Sequence, residues 1–501
     1  MIRRAWAAFA RAPMYRVVLA ALGVLAGAAF VASFAGALYY TPLELAALLL
    51  TVNVVTVAAS RVAARIWRAE THDESSLITA LLLFFVLKPG LEPADLLAAA
   101  AAAAIAGCSK FLIAWRGRHL FNPAALGAFV VTVSGLGASY WWIGSTTLVW
   151  VVVPVAAIVV IRIRQTLLAS LSVAAGLTVY LISALSWGSA VTDALLMGIG
   201  STALVFFTAF MVVEPLTLPP RRWQRLIVAV TTGALFAAPI SLGVVSMSPE
   251  LALLIGNLLG FAFGQRRAIK LTLRETRRSL DRTVELVFHA ETPLRFQPGQ
   301  AIELHVPGSL LFHRGGTRRV FSIVSAPSDG HEVRVAFTVP EHASAAKLRL
   351  AELQPGAVVR ATGVAGDFLP PRADAKVVMV AAGIGVTPFI SWLRDAQSRS
   401  ERPDAVLVLA VSDANHTHFR EELRELPAQV ILATPEEPEQ LTANERWAGP
   451  IRLSGERIEQ LVPDLAGREV CVSGRPRFVT EMRWGLRSRA VRVRTDAFAG
   501  Y

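Results

Sequence analysis

Residues 377–389 read VVMVAAGIGVTPF, a short apolar run followed by two glycines and a proline. The apolar run is typical of a strand buried in a parallel sheet, and Thr387 and Pro388 begin a helical pattern. Gly383 and Gly385 let the backbone approach a pyrophosphate closely, and the N-terminus of the following helix favours the phosphate charge. The stretch therefore predicts a strand–turn–helix unit of the kind that binds a nucleotide.

The chain around this unit alternates compact apolar strands with helical patterns. A further strand is predicted over 405–411, and residues 470–476 read VCVSGRP, an apolar strand end followed by a second glycine turn. Strands that alternate with helices are typical of a parallel sheet with crossover helices. We therefore predict an α/β nucleotide-binding domain over residues 371–501.

Residues 266–370 carry short alternating runs that are broken by Gly and Pro, such as AIELHV at 301–306. This pattern predicts a small antiparallel β-barrel. Within it, residues 319–323 read RVFSI. The planar fork of an arginine binds phosphate oxygens bidentately, and Phe321 and Ser322 can offer a flavin an aromatic face and a hydroxyl. By itself, the motif is equally compatible with a plain barrel strand.

The C-terminal residues 495–501 read TDAFAGY. An aromatic side chain at this position can cover a flavin ring, and the candidates are Phe498 and Tyr501. Taken alone, either residue is also compatible with an ordinary surface or core aromatic.

In their order and spacing, these four motifs resemble the ferredoxin–NADP⁺ reductase superfamily. The resemblance covers residues 266–501 and implies FAD bound to the barrel and NADH or NADPH, as substrate, bound to the α/β domain. The implied cofactor contacts are Arg319, Val320, Phe321, Ser322 and Gly366 for the flavin, Gly383, Gly385, Thr387 and Pro388 for the nucleotide phosphates, and Gly474 and Pro476 beside the nicotinamide. The implied catalytic residues are Ser322, Phe498 and Tyr501.

The chain departs from the family pattern at several positions. Phe321 stands where a tyrosine is usual, so one hydroxyl contact is lost, and Ser473 stands where the family often has cysteine. Lys347 occupies the place where a helix that binds the flavin pyrophosphate usually starts with Ser or Thr, and Ser344 lies one turn earlier. Which of these two touches phosphate is open.

The composition of the whole chain divides it into two halves. The 501 residues are 54% hydrophobic and only 17% charged, whereas a soluble protein carries roughly 25% charged residues. Charges are sparse up to about residue 265 and ordinary afterwards. A membrane half followed by a soluble half excludes a purely soluble, disordered or collagen-like protein. Two cysteines, Cys108 and Cys471, are too few for a four-cysteine zinc site or iron–sulfur cluster, and no metal site is predicted.

The first half contains ten apolar segments, and a helix needs about 20 apolar residues to cross the bilayer core. The segments are 16–39, 42–60, 75–89, 94–115, 121–138, 144–163, 165–186, 194–213, 223–246 and 250–265. The third and fifth are short, which favours broken or shallow helices. We therefore predict a polytopic α-helical membrane domain of about ten helices over residues 1–265.

The loops between these segments predict the orientation in the membrane. With the N-terminus in the cytoplasm, every inner loop carries a cluster of Arg or Lys, whereas the outer loops hold only Lys88. The positive-inside rule then places the N-terminus and the soluble half in the cytoplasm, in a multi-pass protein of the inner membrane. The same clusters account for much of the net charge of +12, so no nucleic acid partner is predicted.

Three stretches of the first half resemble the flavin-carrying membrane subunits of the sodium-pumping NADH:quinone reductase and of the Rnf complex (the NqrB/RnfD type). They are HDESSLITALL at 72–82, LFNPAALG at 120–127 and FTAFMVVEPLT at 207–217. The family has ten helices with both ends inside, and it attaches FMN covalently to the threonine of a Ser-Gly-Ala-Thr stretch.

The corresponding outer loop, residues 186–193, reads SWGSAVTD and lacks that stretch. We therefore expect Thr192 to be unmodified. A non-covalent flavin, such as FMN, or a similar carrier is expected near Asn122 and Glu214. The prolines that follow these two residues break helices and free backbone groups, which a ligand can satisfy.

These observations favour a membrane flavoprotein oxidoreductase that passes electrons from NAD(P)H through FAD to an unidentified acceptor, a quinone or a redox protein. Asp413, just beyond the predicted strand 405–411, favours NADH because a carboxylate there repels a 2′-phosphate. Two alternatives remain. A ferric-reductase-like enzyme needs paired histidines for haem, and the first half has only His72 and His119. A redox-sensing ion transporter would show ion dependence without net electron delivery.

Overall fold

The computed structural model describes most of the chain, and the chain divides into two compact units, Met1–Arg266 and Arg267–Tyr501. The described residues are 14–67, 73–115, 118–163, 165–214, 217–219, 222–242, 245–263, 269–306, 318–341, 343–372, 374–414, 417–450 and 452–497.

The first unit is helical, and each of the ten apolar segments contains a helix. The helices are α1 Met14–Phe34, α2 Pro42–Ile66, α3 Asp73–Val86, α4 Pro93–Leu112, α5 Pro123–Val133, α6 Val149–Ile163, α7 Thr166–Ser186, α8 Val191–Gly200, α9 Leu204–Phe207, α10 Arg222–Phe236 and α11 Pro249–Phe263. A π-helix, Thr208–Val212, continues α9. Two short hairpins pair β1 Ala114–Trp115 with β2 Arg118–His119, and β3 Ser241–Leu242 with β4 Val245–Ser246.

The expectation of about ten full spans is met only in part. Within the described residues, four helices are long and apolar enough to cross a membrane, namely α1 from Tyr15, α2, α4 and α7. The α8 helix and the segment Leu204–Val212 form a fifth if this pair, which is bent by 46°, counts as one span. The apolar helices α5, α6 and α11 have only 10–17 residues. A 15-residue helix covers about 22 Å, which is less than the roughly 30 Å of the hydrocarbon core.

The helices of this unit expose apolar side chains. On α2, Leu43, Leu50 and Val54 are exposed, whereas the polar side chains of Thr56 and Ser60 are buried. This distribution is the reverse of that on a surface helix of a soluble protein, in which polar residues face outwards.

The α5 helix packs closely against α4 and is capped by Asn122. A Cβ atom on Gly127 would lie only 2.4 Å from the backbone oxygen of Ala102 on α4, so only glycine lets the two helices approach this closely. The side chain of Asn122 caps α5, because its oxygen accepts a hydrogen bond from the Ala125 N–H at 3.1 Å. Asn122 is thus held against the body of the unit.

The second unit begins with the predicted antiparallel barrel. Its strands are β5 Ile269–Arg278, β6 Thr283–Ala290, β7 Ala301–His305, β8 Arg318–Ser322, β9 Glu332–Thr338 and β10 Val358–Ala365, in the spatial order β8-β7-β10-β5-β6-β9. An isolated bridge between Ile323 and Val335 brings the two edge strands together, so the sheet is nearly closed. The short helix α12, Ala345–Ala351, lies between β9 and β10.

The rest of the unit is the predicted α/β domain with an all-parallel sheet. Its strands are β11 Val377–Ala382, β12 Ala405–Ala410, β13 Gln429–Ala433, β14 Glu445–Trp447, β15 Glu469–Gly474 and β16 Arg492–Ala497, in the order β14-β13-β12-β11-β15-β16. The helices are α13 Thr387–Ser398, α14 Arg420–Glu425, α15 Gly455–Leu461 and α16 Pro476–Leu486. The central strand β11 is almost entirely buried, as its apolar sequence predicts.

Candidate functional site

The two glycine turns of the α/β domain lie side by side. The neighbouring strands β11 and β15 are parallel, with Ala381 opposite Ser473, so both turns follow at the same carboxyl edge of the sheet. A Cβ atom on Gly385 would lie 2.5 Å from the backbone oxygen of Ser473 and 2.8 Å from Cα of Gly474. Gly383 has a φ of +53°, a backbone conformation that favours glycine. The edge is thus built for close backbone approach.

Buried side chains support the first glycine turn, at residues 383–386. Thr387 is buried, and its hydroxyl donates a hydrogen bond to the backbone oxygen of Ile384 at 3.0 Å. Pro388 is also buried and occupies the first turn of α13, where a missing N–H costs no helical hydrogen bond. The buried hydroxyl of Ser473 has no hydrogen-bond partner within the described residues. The glycine cradle and this polar atom fit a bound nicotinamide nucleotide.

Three cationic side chains in the second unit influence one another's charge. Arg319 is buried on β8, and burial lowers its pKa. Burial also lowers the pKa of Lys347, and the positive charges of Arg319 and Arg475 lower it further. Lys347 is half-buried and Arg475 is exposed, and a bound anion would stabilise the neighbouring positive charges. The cluster of Arg319, Lys347 and Arg475 therefore fits the pyrophosphate of FAD.

The two candidates at the start of α12, Ser344 and Lys347, have different surroundings. Lys347 belongs to the cationic cluster and donates a hydrogen bond to the backbone oxygen of Thr338 at 3.2 Å. Ser344 is exposed at the start of α12, and its side chain makes no capping hydrogen bond. Arg475 lies in the motif at 470–476, but its sequence context predicted no role for it. In the sequence, the only signal for a role of Arg475 was its positive charge directly after a glycine turn.

The other residues of the barrel motif point in different directions. Phe321 is buried and packs against Phe337 in the barrel core, with ring centroids 5.2 Å apart, so its ring is not turned outwards. Val320 is half exposed, as alternation along a strand requires, and Ser322 is buried. Gly366 directly follows β10, and its backbone oxygen accepts a hydrogen bond from the side chain of Gln300 at 3.1 Å.

The remaining predicted site residues lie in different kinds of position. Gly474 ends β15 with a φ of +150°, and Pro476 is the exposed first residue of α16. Phe498 and Tyr501 lie outside the described residues. Asp413 is exposed beyond β12, which ends at Ala410, one residue earlier than predicted.

An ion-pair network joins the barrel to the α/β domain. Arg334 on β9 contacts Glu285 on β6 at 2.6 Å, and it binds Glu422 on α14 through two bonds of 2.9 and 2.7 Å. Arg394 on α13 binds the same Glu422 at 2.7 Å, and the ring of His418 contacts Glu285 at 2.9 Å. These residues lie far apart in the sequence, and no local pattern marks them as partners.

In the helical unit, the three quoted stretches meet at one cavity of about 620 Å³, a volume that includes space open to solvent. The stretch 72–82 contributes Ser75 and Thr79 to the lining. The other two stretches contribute Asn122, Phe210 and Glu214, among others. Residues more than ninety positions apart therefore form a single site.

Glu214 is the centre of a polar cluster in this cavity. Its Oε1 contacts Nε2 of His119 at 3.1 Å, and its Oε2 accepts a hydrogen bond from the Asn122 amide at 2.8 Å. The backbone N–H of Asn122 binds the side-chain oxygen of Asn257 at 2.7 Å. Lys110 donates to the backbone oxygen of Ser75 at 2.9 Å. The cavity combines apolar walls with donors and acceptors, as sites for planar polar ligands do.

The C-terminal half combines two adjacent glycine turns on a parallel sheet with a near-barrel that contains a buried arginine. This combination defines the class of protein. The C-terminal half is similar in sequence to oxidoreductases of the ferredoxin-reductase type, and its residues fit FAD and NAD(P)H. Residues 379–483 match the family model of the oxidoreductase NAD-binding domain.

Among curated relatives, the ferredoxin reductase component of 3-ketosteroid-9-alpha-monooxygenase from Mycolicibacterium smegmatis is 26% identical over 197 residues, which are 39% of this chain and 52% of that protein. Methane monooxygenase component C from Methylosinus trichosporium is 30% identical over 138 residues, 27% of this chain and 38% of that protein. The chain thus spans about half or less of these relatives. A solved ferredoxin NADP⁺ reductase from Neisseria gonorrhoeae with bound FAD and NADP has a TM-score of 0.38 at 18% identity, covering 46% of this chain and 97% of that one.

Proposed function

We propose that the chain is a membrane-bound flavoprotein oxidoreductase, in which electrons from cytoplasmic NAD(P)H pass through FAD to a carrier or acceptor in or across the membrane. The observation that carries the proposal is the fusion, in one chain, of a reductase-type unit and a helical unit whose helices expose apolar side chains. Apolar side chains exposed in this way on the helical unit are costly in water and favourable in a lipid bilayer.

The distribution of aromatic and basic residues supports the membrane location. Tyr39 is exposed just before α2, and Trp187 is exposed just after α7. Trp67 and Trp223 are exposed at helix ends that adjoin basic clusters. Tryptophan and tyrosine are enriched at the two membrane–water interfaces, and basic residues at the cytoplasmic one. We therefore place the chain in the inner membrane as a multi-pass protein, with the N-terminus and the reductase unit in the cytoplasm.

In the reductase unit, the chain's own residues would orient the two nucleotides. Gly383 and Gly385 would let the pyrophosphate of NAD(P)H lie against the first turn of α13, whose N–H groups face anions. Arg319 and Lys347, with Arg475, would neutralise the pyrophosphate of FAD. FAD supplies the conversion of a two-electron hydride into single electrons. We propose NADH as the donor, because the exposed Asp413 would repel a 2′-phosphate.

In the helical unit, the cavity around Glu214 is the proposed site of a second, non-covalent flavin such as FMN, or of a similar redox carrier. The resemblance of its three stretches to NqrB/RnfD-type subunits supports this assignment. The lining offers a flavin ring the polar groups of Ser75, Thr79 and Lys110, beside the Glu214 carboxylate that Asn122 and His119 bind. Thr192 is exposed in the first turn of α8, and we expect it to carry no covalent flavin.

The acceptor is proposed to be a quinone or a redox protein. Both curated relatives are named as components of monooxygenases, and the first is named as the ferredoxin reductase component, which favours a redox protein as one class of acceptor. No nucleic acid partner is proposed.

The test is the flavin content of the purified full-length chain. Denaturation is expected to release FAD and a second flavin or carrier. The Arg319→Ala variant should bind FAD about tenfold to a hundredfold more weakly, because it loses charged hydrogen bonds to phosphate. The matched control is Arg282→Ala, in the same barrel, since within the described residues Arg282 forms an ion pair with the exposed Glu341 alone, at 3.0 Å.

Three results would contradict parts of this proposal. Full FAD occupancy in Arg319→Ala would remove Arg319 from the flavin site. A single flavin per chain, with no other redox centre, would exclude the second carrier. A haem Soret band in the purified protein would favour the ferric-reductase-like alternative.

A further inference from the structure

The helical unit contains a continuous series of aromatic rings that starts at the cavity. Phe210 lines the cavity, and its ring lies 5.0 Å from that of Phe206. The ring of Phe206 lies 5.3 Å from Phe85, and Phe85 lies 5.5 Å from Trp142. Trp142 lies 6.1 Å from Tyr40 between ring centroids. At these separations, neighbouring rings are close to van der Waals contact.

The series ends at the surface, where Tyr39 is 94% exposed and its ring lies 5.4 Å from Tyr40. The two ends of the series are at opposite ends of the unit. Tyr15 lines the cavity at the start of α1, whereas Tyr39 lies a few residues beyond Phe34, the last residue of the same helix. Taken together, the five centroid separations limit the length of the series to about 27 Å or less.

The rings in the middle of the series are buried. Phe85 and Phe206 are fully buried, and Trp142 is 7% exposed. The Trp142 indole N–H donates to the backbone oxygen of Phe84 at 2.7 Å, so the orientation of its ring is defined by a hydrogen bond. An ordinary hydrophobic core needs buried apolar volume, but it does not need rings that form an unbroken line from a polar cavity to an exposed tyrosine.

We propose that the series Phe210–Phe206–Phe85–Trp142–Tyr40–Tyr39 is the route by which single electrons leave the cavity for the opposite face of the unit. This inference rests on the proposed function, because it needs a redox carrier in the cavity. Delocalised π orbitals present a lower barrier to electron tunnelling than saturated side chains do, so closely spaced rings couple the two ends.

The electron balance of the proposal is simple. Oxidation of one NAD(P)H on the reductase unit releases two electrons and one proton. Each electron that travels along the series reduces one molecule of a one-electron oxidant at the Tyr39 face. No bond in the rings is formed or broken, and the proton stays on the NAD(P)H side.

The experiment uses the full-length chain, with its cofactors, in sealed vesicles that contain the membrane-impermeant oxidant ferricyanide. NADH added outside reaches only those molecules whose reductase unit faces outwards, and their Tyr39 face then meets the ferricyanide. Two quantities are followed by absorbance: the loss of ferricyanide inside, and the steady-state redox level of the carrier in the helical unit.

Two substitutions at one position separate the role of the ring from that of the hydrogen bond. Trp142→Leu interrupts the series, whereas Trp142→Phe keeps a ring, and both lose the bond to the Phe84 oxygen. The control is Phe236→Leu. This substitution removes a ring whose centroid lies 4.9 Å from that of Phe207 but which is not part of the route. Reduction of a water-soluble dye by NADH outside the vesicles reports the reductase unit and should be the same in all variants.

We expect Trp142→Leu to slow internal ferricyanide reduction several-fold and to leave the carrier more reduced at steady state. Trp142→Phe should largely restore both readouts, and Phe236→Leu should change neither. Equal rates in Trp142→Leu and wild type, or equal losses in all three variants, would overturn the route and leave the rings as core packing.

The failure of the proposed function has a different signature. If NADH reduces the dye but no carrier in the helical unit changes its spectrum, both the second carrier and the route are refuted. If the carrier is reduced but wild-type vesicles never lose ferricyanide, the route alone is refuted, because electrons then leave elsewhere.

Discussion

At the scale of the residue, Gly385 shows how one atom can decide whether a nucleotide fits. The space for a side chain is already taken by the backbone of Ser473 and Gly474. We predict that Gly385→Val raises KM for NADH several-fold in the dye assay, because the extra atoms push the two turns apart; overpacking of this kind costs about 1–3 kcal/mol.

Gly467 provides the matched control for that substitution. It lies in the same domain, and a Cβ atom there would meet nothing within 4 Å. Gly467→Val should therefore leave KM unchanged. An unchanged KM in Gly385→Val, with the protein folded, would mean that the nucleotide does not use this turn.

At the scale of the element, the contact of β9 with α14 depends on pH. Burial alone would raise the pKa values of Glu285 and Glu422. Hydrogen bonds from His418 and Arg334 nevertheless hold the pKa of Glu285 below its ordinary value of 4.5. Hydrogen bonds from Arg334 and Arg394 do the same for Glu422. Carboxyls with lowered pKa values stabilise the fold above their ordinary pKa, and this stabilisation is lost as the pH falls through the lowered values.

We therefore predict that the free energy of unfolding of the fragment 267–501 falls steadily as the pH drops below about 5. Glu422→Gln should lower this free energy at neutral pH by about 1.5–3 kcal/mol, the value of hydrogen bonds to charged groups. It should also flatten the pH dependence, as measured by chemical denaturation. Glu341→Gln is the control, because the exposed pair of Glu341 with Arg282 contributes little. Identical curves for Glu422→Gln and wild type would contradict this account.

At the scale of the whole molecule, the chain has two units with separate cores. We predict that the fragment 267–501, expressed alone, folds, binds FAD and reduces dyes from NADH, because the hydride site lies wholly within it. It should not reduce the oxidant enclosed in vesicles, since the route to that oxidant lies in the other unit. A folded fragment that holds FAD but shows no dye reduction would refute the reductase assignment.

Local sequence patterns predicted much of this protein. The run before Gly383 predicted a buried parallel strand, and alternation before residue 370 predicted the antiparallel sheet, because strand periodicity and turn residues act over short distances. The apolar segments located the helices of the first unit. Their lengths were predicted less well, because packing bends or ends a helix at points that mean hydropathy does not reveal, as at the 46° bend between α8 and the segment Leu204–Val212.

Only the tertiary structure brought distant residues together. Glu214 meets Asn122 and His119 across more than ninety positions, and Lys347 shares its environment with Arg319 and Arg475. It also turned Phe321 into the barrel core and aligned the rings from Phe210 to Tyr39. The physical reason is that side-chain periodicity is encoded within one element, whereas charge neighbours and ring contacts depend on which elements pack together, and that is decided by the free energy of the whole chain.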